Sequence, residues 1–201
     1  MLDPVTLDPL MLAALDEGWI RAVLFDHAID DWVDLGPDPL RRRHAGQIYA
    51  DHVGAAYAAW KWRCDRAGTD VDTPPVRGSV PEALRLEVGV RNWTELMAAL
   101  LTAGRAQGLL FAELAAAGPA TIEDAARRAF DRVGRDYAGH AALAFLEIKR
   151  GGFADRAAAG AALTRLVPAT AALLAGTGVE GRWHDRVRPL LADLGLEMNV
   201  L

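Results

Sequence analysis

The chain has little of what builds a disulfide framework, a zinc site or a membrane span. Its one cysteine, Cys64, excludes an internal disulfide and any zinc site made from several cysteines. No uninterrupted apolar run approaches the roughly eighteen residues that a membrane helix needs. The N-terminal stretch lacks the basic flank and the long apolar centre of a signal peptide. We therefore expect a cytoplasmic protein without a membrane partner.

Strand signals and a strong excess of one charge are missing as well. The net charge of −5 gives no electrostatic reason to expect a nucleic-acid partner. No window shows sustained alternation of polar and β-branched residues, so strands are not expected. The chain is instead 52% apolar and rich in alanine, which loses no side-chain entropy in a helix. At 201 residues, this composition predicts one all-α domain with a real core.

Helix start and stop signals divide the chain into long segments. Asp8 and Asp38 each precede a proline, which is typical of an N-cap followed by the first helical residue. They predict a first helix that runs from Asp8 to "DLGPDP" and a second that runs to "RAGTD". Thr121 is predicted to cap the fourth helix, which should end at "KRGG". The expected architecture is an antiparallel four-helix bundle over about 8–150, followed by a helical extension over about 153–201.

Each predicted helix of the bundle carries a polar residue on its apolar face. Helical spacing puts these residues toward the interior, where polar groups must find partners. Antiparallel packing would bring several of them to a similar height, so we expect a shared polar layer in the core. The four residues, one from each helix in chain order, are Asp26, His52, Gln107 and His140.

One interpretation of this layer is a metal site. Bundles that hold two metal ions use a Glu from each of two helices and Glu-x-x-His from each of the other two. The chain has no Glu-x-x-His, and Asp136 and His140, which are four residues apart and share a helix face, give one pair where two are required. The candidate iron or manganese ligands are therefore an incomplete set, namely Asp26, His52, Asp136 and His140.

Two other interpretations remain open. The layer would be catalytic without metal if Asp136, Tyr137 and His140 moved protons while Gln107 oriented a substrate. It would be structural if the histidines were hydrogen-bonded core residues, which is the more common role of a histidine on an apolar face.

Three segments, taken in order, carry a resemblance to a known family. They are "AGQIYADHVGAAYAAWKWRCDRAG", "LEVGVRNWTELMAALLTAGRAQGLLFAEL" and "AARRAFDRVGRDYAGHAALAFLEIKRGG". Their succession resembles the ferritin-like helical subunits of the multicomponent phenylacetyl-CoA epoxidase of phenylacetate catabolism. The chain is most similar to the non-catalytic structural subunit, over roughly residues 10–155. The resemblance implies a ferritin-like four-helix bundle with additional C-terminal helices.

The resemblance also implies a choice of functions. Catalytic members of the family hold two irons and activate oxygen, whereas the structural member has lost that site and supports the complex. Where a catalytic member would have Glu-x-x-His in its third helix, this chain reads "RAQG" (105–108). Asp136 and His140 would then be remnants of the site, and Asp26 would replace the carboxylate of the first helix.

We therefore expect an accessory subunit with an incomplete diiron site, no resident cofactor, and a protein partner or a second copy of itself. The alternatives are a divergent non-haem metal-dependent oxygenase acting on an aromatic or acyl-CoA-type molecule, and a bundle that binds a small molecule.

Overall fold

A computed structural model describes residues 4–117 and 122–196, and every regular element in these ranges is helical. The all-α prediction is therefore confirmed. The elements are α1 (Pro4–Ala14), α2 (Glu17–Leu24), a 3₁₀ helix (Asp30–Leu35), α3 (Pro39–Ala67), α4 (Glu82–Val88), α5 (Trp93–Ala99), a π-helical turn (Leu100–Gly104), α6 (Arg105–Ala116), α7 (Asp124–Arg150), α8 (Phe153–Leu174) and α9 (Glu180–Asp193). The chain continues without a break from α5 through this π turn into α6.

The first predicted helix is wrong, because this part of the chain forms three short helices. α1 begins before Asp8, so Asp8 and Pro9 lie inside a helix and do not start one. Asp16 ends the first stretch and caps α2, where its carboxylate accepts a hydrogen bond from the backbone N–H of Trp19 at 2.8 Å. After α2 the backbone turns at His27, whose φ of +52° is uncommon for a residue with a side chain. The apolar spacing of this stretch therefore does not belong to one helix.

The predicted bounds of α3 and the predicted end of α7 are confirmed. Asp38 caps α3 by accepting a hydrogen bond from the backbone N–H of Arg41 at 2.9 Å. The helix stops at Gly68, whose φ of +64° costs glycine little. α7 ends at Gly151, in the predicted "KRGG". The predicted cap Thr121 lies outside the described residues.

α7 packs against α3 and also against the helix that runs from α5 to α6. The closest approach is at two glycines, Gly108 of α6 and Gly134 of α7. A Cβ on Gly108 would lie 2.9 Å from the Cβ of Tyr137, and one on Gly134 would lie 3.1 Å from the carbonyl oxygen of Gly108. The missing side chains let the two backbones approach, and this contact fixes the position of Tyr137.

The C-terminal helices share the core of the preceding ones. α8 packs against α4, α5 and the π turn, and α9 packs against α6. Leu163 and Leu166 of α8 and Trp183 of α9 are buried in the same hydrophobic cluster as Leu96 and Leu110.

By length and composition alone, α8 is long and apolar enough to cross a membrane. Its most apolar window of 18 residues has a mean hydropathy of 1.4, and 39% of that window is buried inside the protein. A core helix meets the same criteria, so the observation is weak evidence for a membrane span.

Candidate functional site

A group of polar and aromatic side chains meets in the interior, and we call it the histidine cluster. Its members come from the 3₁₀ helix, α3, α4 and α7, and His52 lies at its centre. The ring centroid of His52 is 4.9 Å from Trp32, 4.5 Å from Tyr137 and 6.0 Å from His140. The structure thus brings together three residues singled out from the sequence. The members are Trp32, His52, Glu87, Tyr137 and His140.

His52 is fully buried and uses both ring nitrogens. Its Nδ1 donates a hydrogen bond to the backbone carbonyl oxygen of Ile48 at 3.0 Å, so Nδ1 carries a proton. Its Nε2 lies 3.4 Å from Oε1 of Glu87, which is also fully buried. The contact ties α3 to α4 without any exposed surface.

Glu87 lies next to the π turn. A Cβ on Gly104 would lie 3.4 Å from Oε1 of Glu87. On the same turn the carbonyl oxygen of Thr102 accepts a hydrogen bond from the indole of Trp183 at 3.1 Å. π-helical turns are rare in proteins overall, and those that occur are often found at functional sites. This one therefore marks the neighbourhood of Glu87 as unusual.

His140 is paired differently. Its Nε2 lies 3.0 Å from Oδ2 of Asp51 on α3, and both side chains keep a small exposed area. Its Nδ1 is buried and has no hydrogen-bond partner among the described residues. A proton on Nδ1 would therefore lose its solvation. Burial lowers the pKa of His140 to about 4, and His52 acts in the same direction, whereas Asp51 opposes the shift. His140 is neutral at pH 7.

Tyr137 lies between the two histidines, with its ring centroid 5.8 Å from that of His140. Its hydroxyl is buried without a partner in the described part of the chain. Burial raises the pKa of Tyr137 well above its ordinary value, and the charges of Glu87 and Asp51 act in the same direction. The phenol keeps its proton and is not available as a base.

The predicted pairing of Asp136 with His140 is wrong. The side chain of Asp136 is one-third exposed and lies 3.5 Å from Nε of Arg132 on the same helix. The carboxylate that His140 contacts belongs to Asp51, across the interface with α3. Burial raises the pKa of Asp136, and the charge of Asp51 adds to this effect.

Asp26 is not in the interior either, and its predicted place in the polar layer is wrong. Its side chain is 48% exposed and lies 3.5 Å from Nε of Arg21. The physical reason is that α2 ends at Leu24, so the helical spacing that put Asp26 inside stops two residues before it.

Gln107 is buried, and its side-chain oxygen has no hydrogen-bond partner among the described residues. No hydrogen bond or ion pair in this part of the chain links it to the histidine cluster. Its role in orienting a substrate stays a prediction.

The side chains at the cluster do not fit a diiron centre. Such a centre takes four carboxylates and two histidines from four helices. Here each histidine faces a different carboxylate, and the two ring centroids are 6.0 Å apart. Over residues 4–117 and 122–196, no three His, Cys, Asp or Glu side chains are grouped so that they could hold a metal ion. The predicted ligand set of Asp26, His52, Asp136 and His140 is not assembled.

The sequence did not indicate two members of the histidine cluster, Glu87 and Trp32, or that Asp51 is the partner of His140. Glu87 lies in "ALRLEVGV", three residues after the buried Leu84, and this acid on an apolar face was the available signal. Trp32 is one of three apolar residues in "DDWVDL", and nothing local indicates its contact with His52. Asp51 precedes His52, and consecutive helical residues diverge by about 100°. That divergence directs Asp51 to His140.

On its solvent side the cluster borders a small cleft between α3 and α7, which we call the Asp51 cleft. It has a volume of about 210 Å³, and its charged lining residues are Asp51, Arg132 and Asp136. The Asp51–His140 pair is thus the edge at which the interior meets solvent.

Comparison of the chain with known protein families, with curated proteins and with solved structures gives no match. Function is therefore inferred from the geometry of the site itself.

Proposed function

We propose that the protein is a non-catalytic accessory subunit, a ferritin-like four-helix bundle that works by binding another protein. The kind of complex that the sequence resemblance suggests is a multicomponent oxygenase. The observation that carries the proposal is the complete burial of His52, Glu87 and Tyr137. Side chains without exposed surface offer a substrate nothing to contact.

The role of the histidine cluster in this proposal is to hold helices in register. His52 and Glu87 join α3 to α4, and Asp51 and His140 join α3 to α7. A buried polar group is satisfied in one arrangement of its helices, so pairs of this kind penalise alternative packings.

A surface suited to a partner lies in the groove between α1 and α3, which has a volume of about 580 Å³. Leu12 on its rim is 67% exposed. The indoles of Trp60 and Trp62 line the groove and donate hydrogen bonds to the carbonyl oxygen of Val71 and the carboxylate of Glu123. Both side chains are more than nine-tenths buried and their polar ends are satisfied, so the rings form a rigid apolar floor for the groove. The groove supports a partner that inserts an apolar side chain.

The test is isolation of the tagged protein from the cells that normally make it. We expect it to purify at a fixed ratio with a second helical protein that carries two complete Glu-x-x-His motifs. Leu12→Glu should abolish this association, because a charge on the rim would have to be desolvated. Val76→Glu is the matched control, since Val76 is 80% exposed and does not line the groove. A monodisperse monomer without a partner contradicts the proposal.

A second function is favoured by one observation at the Asp51 cleft. Asp51 contacts the neutral His140 and also lines the cleft together with Asp136, whose pKa is raised. A carboxyl group within hydrogen-bonding distance of a neutral imidazole, at the wall of a solvent-accessible cleft, is an arrangement that acid–base catalysis uses. An activity that is lost in Asp51→Asn while the protein stays folded would favour this function over the accessory one.

A further inference from the structure

A larger cavity lies away from the histidine cluster, between the turn that joins α4 to α5 and the outer side of α8. We call it the arginine cleft. Its volume is about 630 Å³, within the range of roughly 300–1,000 Å³ typical of small-molecule pockets. The lining residues that matter here are Arg85, Leu86, Arg91, Glu95, Arg165 and Leu166.

The lining carries more positive than negative charge. Arg85 is neutralised by Glu82, whose carboxylate oxygen lies 2.9 Å from its Nε. Glu95 uses one carboxylate oxygen to accept a hydrogen bond from the backbone N–H of Arg91 at 2.9 Å. The guanidinium groups of Arg91 and Arg165 have no ion pair or hydrogen bond within the described residues. Two positive charges from different elements therefore border the cleft without direct compensation.

The rest of the lining is apolar. Leu86, Val88 and Val90 come from α4 and the following turn and are half-buried, and Ala162 and Leu166 come from α8 and are buried. An occupant would thus meet apolar side chains on both walls and guanidinium groups at two points.

We propose that the arginine cleft binds a small amphipathic carboxylate. The carboxylate lies between Arg91 and Arg165, and the apolar chain packs against Leu86 and Leu166. A guanidinium matches the two oxygens of a carboxylate with two parallel N–H donors. Each methylene that becomes buried against the apolar walls strengthens binding about fourfold. The proposal does not depend on the accessory function, because the cleft and the groove between α1 and α3 share no lining residue.

Inorganic phosphate is a useful comparison probe. It carries negative charge that the two arginines can bind but has no apolar chain, so it tests the contribution of the apolar walls.

The experiment is calorimetric titration of the whole protein with octanoate, 1-octanol, acetate and inorganic phosphate. We expect octanoate to saturate at one molecule per chain and the other three to bind at least about tenfold more weakly, since 1-octanol lacks the charge and acetate and phosphate lack the apolar chain. Arg91→Gln and Arg165→Gln should each weaken octanoate binding about tenfold or more. Arg188→Gln is the matched control, because Arg188 is exposed on α9 and does not line the cleft. Its affinity should equal that of the unmodified protein.

A second variant tests the location independently of charge. Ala28 is exposed and lines the cleft, so Ala28→Trp fills the cavity without disturbing the core. We expect it to abolish saturable octanoate binding while the helical circular dichroism is unchanged. The proposal is overturned if octanoate shows no saturable binding, if 1-octanol or phosphate binds as tightly, or if the arginine variants and Ala28→Trp keep the affinity of Arg188→Gln.

Discussion

Two histidine–carboxylate pairs lie side by side in this protein, and they differ in two respects. His52 and Glu87 have no exposed surface, whereas His140 and Asp51 reach the edge of a cleft. Nδ1 of His52 donates to the carbonyl oxygen of Ile48, whereas Nδ1 of His140 has no partner among the described residues. The same two functional groups thus have different surroundings, since one imidazole has hydrogen-bond partners at both ring nitrogens and the other at only one among the described residues. What each pair can do therefore depends on its exposure to solvent and on the hydrogen-bond partner of the histidine's Nδ1, more than on the residue types.

The comparison is tested most strongly by removing the buried pair. We expect His52→Ala to lower the free energy of unfolding by about 3–5 kcal/mol, because it leaves Glu87 buried and uncompensated. Urea unfolding monitored by circular dichroism measures this loss. The double variant His52→Leu with Glu87→Leu should cost less than the single change, because it removes both polar groups. A single-variant loss below about 1 kcal/mol would show that the pair is not buried in solution.

The edge pair gives the next largest effect, through pH. The pKa of His140 is about 4 in the folded protein, below its ordinary value of 6.5, so the unfolded chain binds the extra proton first. Stability is therefore full above about pH 7 and falls as the pH drops toward 4. The loss due to this residue approaches about 3 kcal/mol.

The measurement compares unfolding curves of the unmodified protein and His140→Gln between pH 7 and 4. Glutamine cannot take the proton, and the neighbouring carboxyl groups of Asp51 and Asp136 are present in both proteins. The unmodified protein should lose more stability than the variant over this window. Parallel pH dependences would contradict the assigned pKa of His140.

Tyr137, between the two pairs, tests the packing that supports both. We expect Gly108→Ala to cost about 1–3 kcal/mol, because the new Cβ would lie 2.9 Å from the Cβ of Tyr137. Gly139→Ala on α7 is the control, since a Cβ there meets nothing within 4 Å. That change should stabilise the protein by roughly 0.5–1 kcal/mol in thermal or urea unfolding. Equal effects of the two substitutions would rule out the close approach of α6 and α7.

The smallest effect is expected at the partly exposed carboxylate. Asp51→Asn should cost about 1 kcal/mol in urea unfolding, because the amide oxygen can still accept the hydrogen bond from His140. It should also lower the pKa of His140 further, since the charge of Asp51 raises that pKa. NMR titration of the imidazole measures the shift, and an upward shift would contradict the assignment.

The sequence predicts elements that have local signals at both ends. Asp38 followed by proline, with Gly68 in "RAGTD", defines α3, and the apolar spacing correctly places His52 and His140 inside. The same spacing fails at Asp26, because a second capping residue, Asp16, divides the stretch and the helical phase is lost. Such a break between two helices can be predicted from the sequence only if every Asp in the stretch is considered as a possible N-cap of a new helix.

The partners of the interior residues were harder to predict. Which carboxylate faces His140 depends on how α3 and α7 are rotated about their axes, and the periodicity of α7 alone carries no such information. It favoured Asp136, one turn away, whereas the packing selects Asp51. Glu87 was missed because α4 is too short to show a period. The sequence therefore predicted most of the helices but only part of the site.

The metal content of the protein purified from cells supplied with iron and manganese shows directly whether the histidine cluster is a metal-free structural layer. If it is, mass spectrometry should find iron and manganese well below one ion per chain, with the same trace level in His140→Ala. One or more ions of iron or manganese per chain, lost in His140→Ala while the protein stays folded, would contradict it.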